Sequence, residues 1–141
     1  MRLNHIALAM LAFLPALAFG HALDDRLSCD LTAHDFVKDL LDQDSIQLPP
    51  MRIEDNSVNA FRPTRDADLT AFGLRVRAVF GYQSGDPLFR TAGTKIPPKS
   101  MYGVVVFGSE GTVKRRVLKA GSGAVVHPVI PLLLTALICR Q

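Results

Sequence analysis

The sequence predicts an α+β fold: one small domain whose largely antiparallel sheet of about four strands carries two helices on one face, in the order α-β-β-β-α-β. Three observations predict it. Apolar residues recur at helical spacing after Leu31, a period-two alternation runs from Phe72 to Tyr82, and Tyr102–Phe107, apolar on both faces, precedes a Ser-capped basic segment of helical period. Helices and strands mixed in this order, without a regular β-α-β repeat, place the helices together on one side of a sheet.

The first helix starts at Thr32. Its hydroxyl suits the N-cap, Asp35 follows three residues later, and Leu31 and Phe36 hold the two positions of a hydrophobic staple. Phe36, Val37, Leu40 and Leu41 form the apolar stripe, and Asp35, Lys38, Asp39 and Asp42 the wet face. Pro49-Pro50 blocks continuation. Residues 51–63 read as partly extended, with Val58, Ala60 and Phe61 in a short strand, Asp55-Asn56-Ser57 a turn, and Thr64 to Asp68 a polar loop. From Phe72 onward, Phe72, Leu74, Val76, Ala78 and Phe80 share one side of a strand, with Arg75 and Arg77 on the other.

Gln83 to Pro87 is a turn, Leu88-Phe89-Arg90 begins a short return strand, and Thr91 to Ser100 is a loop of Gly, Pro and Lys. Tyr102–Phe107 is a central strand, since neither face of it suits water. Ser109 caps a second helix running to about Lys119, with Val113, Val117 and Leu118 inward and Lys114, Arg115 and Lys119 outward; Gly121-Ser122-Gly123 closes it. Val125 to Cys139 supplies one final strand, bent or bulged at its prolines.

Ahead of this domain, Met1–His5 carries one firm positive charge, Ile6–Phe19 is apolar, and no acid precedes Asp24. That apolar run of 14 residues is shorter than the ~20 that cross a bilayer. Small residues at Ala16-Leu17-Ala18 and at Gly20-His21-Ala22 offer cleavage sites. Residues 1–22 are therefore expected to be a cleaved signal peptide and residues 23–141 the single domain, soluble and periplasmic or secreted. No Cys directly follows the apolar run, so no lipid anchor is expected. Pro128 and Pro131 make the apolar stretch Ala124–Cys139 a poor membrane span.

The two cysteines, Cys29 and Cys139, lie near opposite ends of the domain. In an oxidising compartment they are expected to form one internal disulfide. A catalytic thiol is not expected, because neither Cys belongs to a CxxC or neighbours a His.

Charge is divided along the chain. Residues 23–70 hold 11 acidic and 5 basic side chains, whereas residues 71–141 hold 2 acidic and 10 basic. Either the halves face each other and neutralise, or the second half presents a basic surface. The candidate binding residues for such a surface are Arg75, Arg77, Lys114, Arg115 and Lys119, together with Lys95 and Lys99 in the loop before the central strand. Electrostatics of this kind steers and orients encounters with anionic partners. Nucleic acid is not expected, since no aromatic interleaves with the basic run.

Catalytic chemistry finds little footing. Beyond residue 22 only His34 and His127 remain, with no HExxH or Cys/His cluster, so no metal and no cofactor is expected. His34, beside Asp35 in the first turn of the helix, reads as a solvated surface residue, and His127 as packed or hydrogen-bonded. Gly-x-Ser-x-Gly, Ser-x-x-Lys and phosphate-binding glycine loops are missing from the sequence. The expectation is a non-enzymatic, exported binding protein whose partner is another protein or an anionic envelope component. An inhibitor-like or immunity-like role suits the size, the address and the lone disulfide, though no motif assigns the chain to either group. A small envelope hydrolase using His34 or His127, and a structural subunit of an envelope complex, are the alternatives.

Overall fold

The structure, a computed structural model, describes residues 21–141. The predicted leader lies outside the described residues except for its last two, His21 and Ala22, which form β1. A 3-10 turn over Asp24–Ser28 follows, then α1 (Ala33–Asp42), β2 (Arg52–Ile53), β3 (Asn59–Phe61), β4 (Leu69–Ala71), β5 (Leu74–Gln83), β6 (Ser100–Phe107), α2 (Glu110–Ala120), β7 (Val125–Ile130) and β8 (Leu134–Arg140).

The architecture is α+β, but the mixed sheet has eight strands rather than about four. Its main path runs β1-β4-β5-β6-β8-β7, with β3 on β5 and β2 on β3. Among the described residues every ladder is antiparallel except β1–β4, which is parallel. The strands missing from the sequence reading are β1, β2 and β4, each two or three residues long, too short to display a period of two.

Both helices begin where the side chains dictate. Thr32 Oγ1 accepts the Asp35 N–H at 3.0 Å, and Ser109 Oγ accepts the Thr112 N–H at 3.3 Å. Gly121, with φ at +67°, ends α2 in the left-handed conformation that glycine adopts at little cost. Val113 and Val117 are buried, but Leu118, expected inward, is 73 % exposed, because it lies one residue past the 113/117 stripe.

Three further expectations are corrected. The last apolar stretch is a hairpin, β7–β8, not a single strand. Its turn is made by Pro131, Leu132 and Leu133, with Leu132 at φ +67°, and holds no Gly, Asn or Asp to announce it. Leu88-Phe89-Arg90 starts no strand. Its backbone is instead satisfied by Asn59, which accepts from the Arg90 N–H at 3.0 Å and donates to the Arg90 carbonyl at 2.8 Å. Finally, Val76 does not share a face with Ala78 and Phe80. The ladder slips between Val76 and Ala78, so that Val76 pairs with Val106 and Ala78 with Val105. Adjacent residues of β6 point to opposite faces, and the apolar positions of β5 therefore divide between them.

The inner face is the one the helices cover. Val79, Val104, Val106 and Leu137 are fully buried there. The Phe36 ring of α1 packs on Tyr102 with centroids 4.6 Å apart, and α2 places Val113 beside Gly108 at the end of β6. The opposite, outer face carries Ala60, Ala78, Phe80, Met101, Val105 and Ile138, and neither helix lies over it.

The N-terminal segment is bound to the inner layer by two devices. Cys29 and Cys139 are joined, with Cα atoms 5.0 Å apart and a sequence separation of 110. Tyr102, fully buried, accepts from the Leu31 N–H at 3.3 Å and donates to the Arg26 carbonyl at 3.2 Å. Burial pushes the Tyr102 phenol above its ordinary pKa; the Leu31 N–H opposes this and the charge of Asp30 adds to it.

Two outcomes follow from these tethers. Replacing both cysteines by serine should cost about 4–5 kcal/mol, the chain-entropy value for so long a loop; urea melts of the two proteins measure it, and equal midpoints would refute it. The folded-state pKa of Tyr102 lies above the unfolded one, so its contribution is complete below about pH 10 and is lost as pH rises through the folded value. Tyr102→Phe strands two backbone groups and should cost about 1–3 kcal/mol at neutral pH. It should also flatten the alkaline limb of the stability profile, as read in melts from pH 7 to above about pH 10.

Candidate functional site

The slip in β5 shapes one end of the sheet. On its edge away from β6, β5 pairs with β3 through Val79–Gly81 and with β4 through Leu74 and Arg75. Positions 76–78 have no strand beside them on that edge, and Arg77 is the residue that the bulge inserts. Bulges bend a strand and re-aim its side chains. The chain crosses this gap from β3 to β4 in a loop over residues 62–68. The segment before it holds the loop in place: the Gln47 N–H donates to the Arg62 carbonyl at 3.0 Å and the Thr64 N–H to the Ser45 carbonyl at 2.9 Å.

Four arginines converge here. Arg62 and Arg65 come from the loop, and Arg75 and Arg77 from β5; with Phe107 at the end of β6 they line a groove of about 300 Å³. The Arg75 guanidinium lies 4.8 Å over the Phe107 ring, a cation–π contact that orients one donor fork. Asp68 is the one carboxylate lining the groove. Among the described residues none of the four arginines is in an ion pair. Guanidinium forks match the paired oxygens of carboxylate and phosphate.

The candidate residues read from the sequence separate into three places. Arg75 and Arg77 belong to this groove. Lys95 and Lys99 sit in the β5–β6 loop at the other end of those strands, where Gln83 pairs with Ser100, roughly 25 Å away by strand rise. The Lys95 N–H is tied to the Asp55 carbonyl at 3.1 Å, and Lys99 flanks a separate cleft with Thr32, Gln83 and Gln141. Lys114, Arg115 and Lys119 are exposed on α2, over the inner face of the sheet. Cys29 and Cys139 form the disulfide.

Among the described residues the close ion pairs made by Lys and Arg are local to the first half of the chain. The ion pairs Arg26–Asp39, Lys38–Asp42 and Arg52–Glu54 all lie within residues 23–70. Among the described residues no Lys or Arg of the second half is paired with a carboxylate. Arg62, Arg65 and Phe107 escape a reading by halves because the two arginines sit in the acidic half. Their one sequence signal is Arg62-Pro63-Thr64-Arg65, two cations in a polar loop.

His34 is more engaged than its place on a helix surface predicts. Its Nδ1 lies 2.5 Å from Asp86 Oδ2, and its backbone N–H donates to Gln83 Oε1 at 3.1 Å. Asp86 Oδ1 in turn accepts the Leu88 N–H at 2.9 Å. The pair fastens the β5–β6 loop to the start of α1. Among the described residues no hydroxyl is hydrogen-bonded to the His34 ring, and no cluster of His, Cys, Asp or Glu could hold a metal ion. No helix among the described residues is long and apolar enough to cross a membrane. No family model, curated protein or solved structure matches the chain.

Proposed function

We propose that this chain is an exported, non-enzymatic binding protein that captures an anionic partner, a protein or an envelope polymer, in the arginine groove. One observation carries the reading: four arginines from two separate segments line one groove, with a single carboxylate among them and no ion pair to any of the four. Like charges brought together in this way repel, and an anion in the groove relieves that repulsion. The leader and the disulfide support an oxidising, periplasmic or extracellular address. Parallel pairing of His21 and Ala22 with Leu69 and Thr70 favours cleavage after Ala18 over cleavage after Ala22, because the later cut removes β1.

Arg115 serves as the internal control, since it lies on α2 over the inner face. Charge reversal of Arg75 and Arg77 to glutamate should weaken binding of polyphosphate or polyglutamate at low salt about tenfold or more, equivalent to at least about 1.4 kcal/mol, and should flatten the salt dependence. Arg115→Glu should leave both nearly unchanged. Titration calorimetry across a salt series measures this, and equal losses at Arg75/Arg77 and at Arg115 would make the binding diffuse and the groove irrelevant. N-terminal sequencing of the exported product should find His21 retained; a chain beginning at Leu23 would refute the proposed cut.

A further inference from the structure

We propose that the end of the sheet bearing the β7–β8 turn docks on a membrane: the turn enters an anionic phospholipid bilayer, and the arginine groove beside it meets the lipid phosphates. The docking rests on the anion-capturing role of the groove for its charge, and on the turn itself for its apolar contact.

Between Lys119 and Arg140 the sequence holds no Lys, Arg, Asp or Glu. The middle of that stretch is bare. Every residue from His127 to Leu133 is exposed, and all of them after His127 are apolar. Leu132 is 88 % exposed, Leu133 51 % and Val129 49 %. Large apolar side chains gathered in this way mark a surface that something else covers.

The turn and the groove share one end of the sheet. β5 starts there at Leu74, β6 ends at Phe107, β8 starts at Leu134 and β7 ends at Ile130. Ile130 pairs with Leu134 and Leu134 with Phe107. Phe107 lines the groove and carries the Arg75 guanidinium over its ring. Leu134 is thus two strands, about 10 Å, from the backbone of Arg75. The Gly108 N–H donates to the Leu133 carbonyl at 2.9 Å and fixes the turn to the end of β6. Glu110 is the one acidic residue beyond Asp86 in the sequence. An apolar tip beside cations is the combination that anionic bilayers hold, by apolar burial and by attraction to their charge.

Three features select a bilayer as the occupant. β7 is exposed on both faces over residues 127–130, because successive strand residues point opposite ways. A folded partner lying on one face would leave the other bare, whereas hydrocarbon surrounds a protruding turn. The backbone of the turn is also suited to a medium without water. Pro131 brings no N–H, the Leu133 N–H donates to the Ile130 carbonyl at 3.0 Å, and the Leu133 carbonyl is taken by Gly108. A second copy is disfavoured by charge and by edge. Two turns in contact would bring two sets of four arginines toward each other, and Pro128, with the register break after it, interrupts β7 as a pairing edge.

The test uses the disulfide-bonded protein from periplasmic expression, with vesicles of equal parts phosphatidylglycerol and phosphatidylcholine, vesicles of phosphatidylcholine alone, and polyphosphate. The protein should sediment with the anionic vesicles about tenfold more tightly than with the neutral ones. Leu132→Asn with Leu133→Ser should weaken anionic-vesicle binding about tenfold while leaving polyphosphate binding and the circular dichroism unchanged. Arg75→Glu with Arg77→Glu should weaken both ligands, and Lys95→Glu with Lys99→Glu, the same charge change at the far end of β5 and β6, neither. The sequence has no Trp, so Leu132→Trp places a single indole at the tip. Its emission should shift to the blue on the anionic vesicles and be quenched by lipids brominated along the acyl chain. Polyphosphate binding without vesicle binding would overturn the docking and leave the anion groove standing; loss of both would overturn the two together. Vesicle binding that the Leu132/Leu133 variant retains in full, or an unshifted Leu132→Trp emission on bound vesicles, would overturn entry of the turn. A dimer in size exclusion that the same variant dissolves would give the turn to a second copy and overturn it too.

Discussion

Between Val76 and Ala78, β5 takes up one residue more than its partner β6, and much of the molecule's outer layer follows from that insertion. Before it, Val76 turns toward the helices; after it, Val79 does so while Ala78 and Phe80 turn away. An unbroken alternation would have placed Leu74, Val76, Ala78, Phe80 and Tyr82 under the helices and Val79 with both arginines opposite them. The bulge instead divides the apolar surface between the two faces of the sheet. It also bends the strand, so that β3 and β4 each pair with a different stretch and leave a gap between them. The arginines gather around that gap.

The inner layer depends on long-range fastening rather than on length of helix. α1 and α2 have 10 and 11 residues, too short to be stable alone in water, and their stability comes from the apolar stripe each buries. The 3-10 turn between β1 and α1 is held at three points. Cys29, at its end, is bonded to β8, the Tyr102 hydroxyl donates to its Arg26 carbonyl, and Ser122 beyond α2 donates to its Leu27 carbonyl at 2.5 Å. Each contact spans more than 70 residues of chain, so this corner forms only when the sheet is complete.

Electrostatics separates the two surfaces. Where the chain is acidic its cations are largely absorbed locally, Lys38 by Asp42 one helical turn away and Arg52 by Glu54 two residues on. Arg62 and Arg65 are the exceptions in that half, and they are the two that fold against the second half's Arg75 and Arg77. A groove with this charge excess is a surface feature with no part in the core: its arginines are exposed, while the valines and leucines beneath them carry the burial. Charge changes in the groove can therefore be made without touching the inner layer.

The sequence by itself determined what is local or exclusive. Thr32 and Ser109 announce both helix starts because a cap needs only a hydroxyl and an N–H three residues apart. Two cysteines admit one internal pairing, and Tyr102–Phe107, apolar on both faces, has to be central. Tertiary structure alone decided what depends on register. The bulge at Arg77 and the union of Arg62 and Arg65 with Arg75 and Arg77 are set by which residue of a distant strand lies opposite, and the turn at Leu132 holds no residue that announces it. A period of two states that a strand has two faces; where the period slips, and what then converges beside it, is determined only when the neighbouring strands are in place.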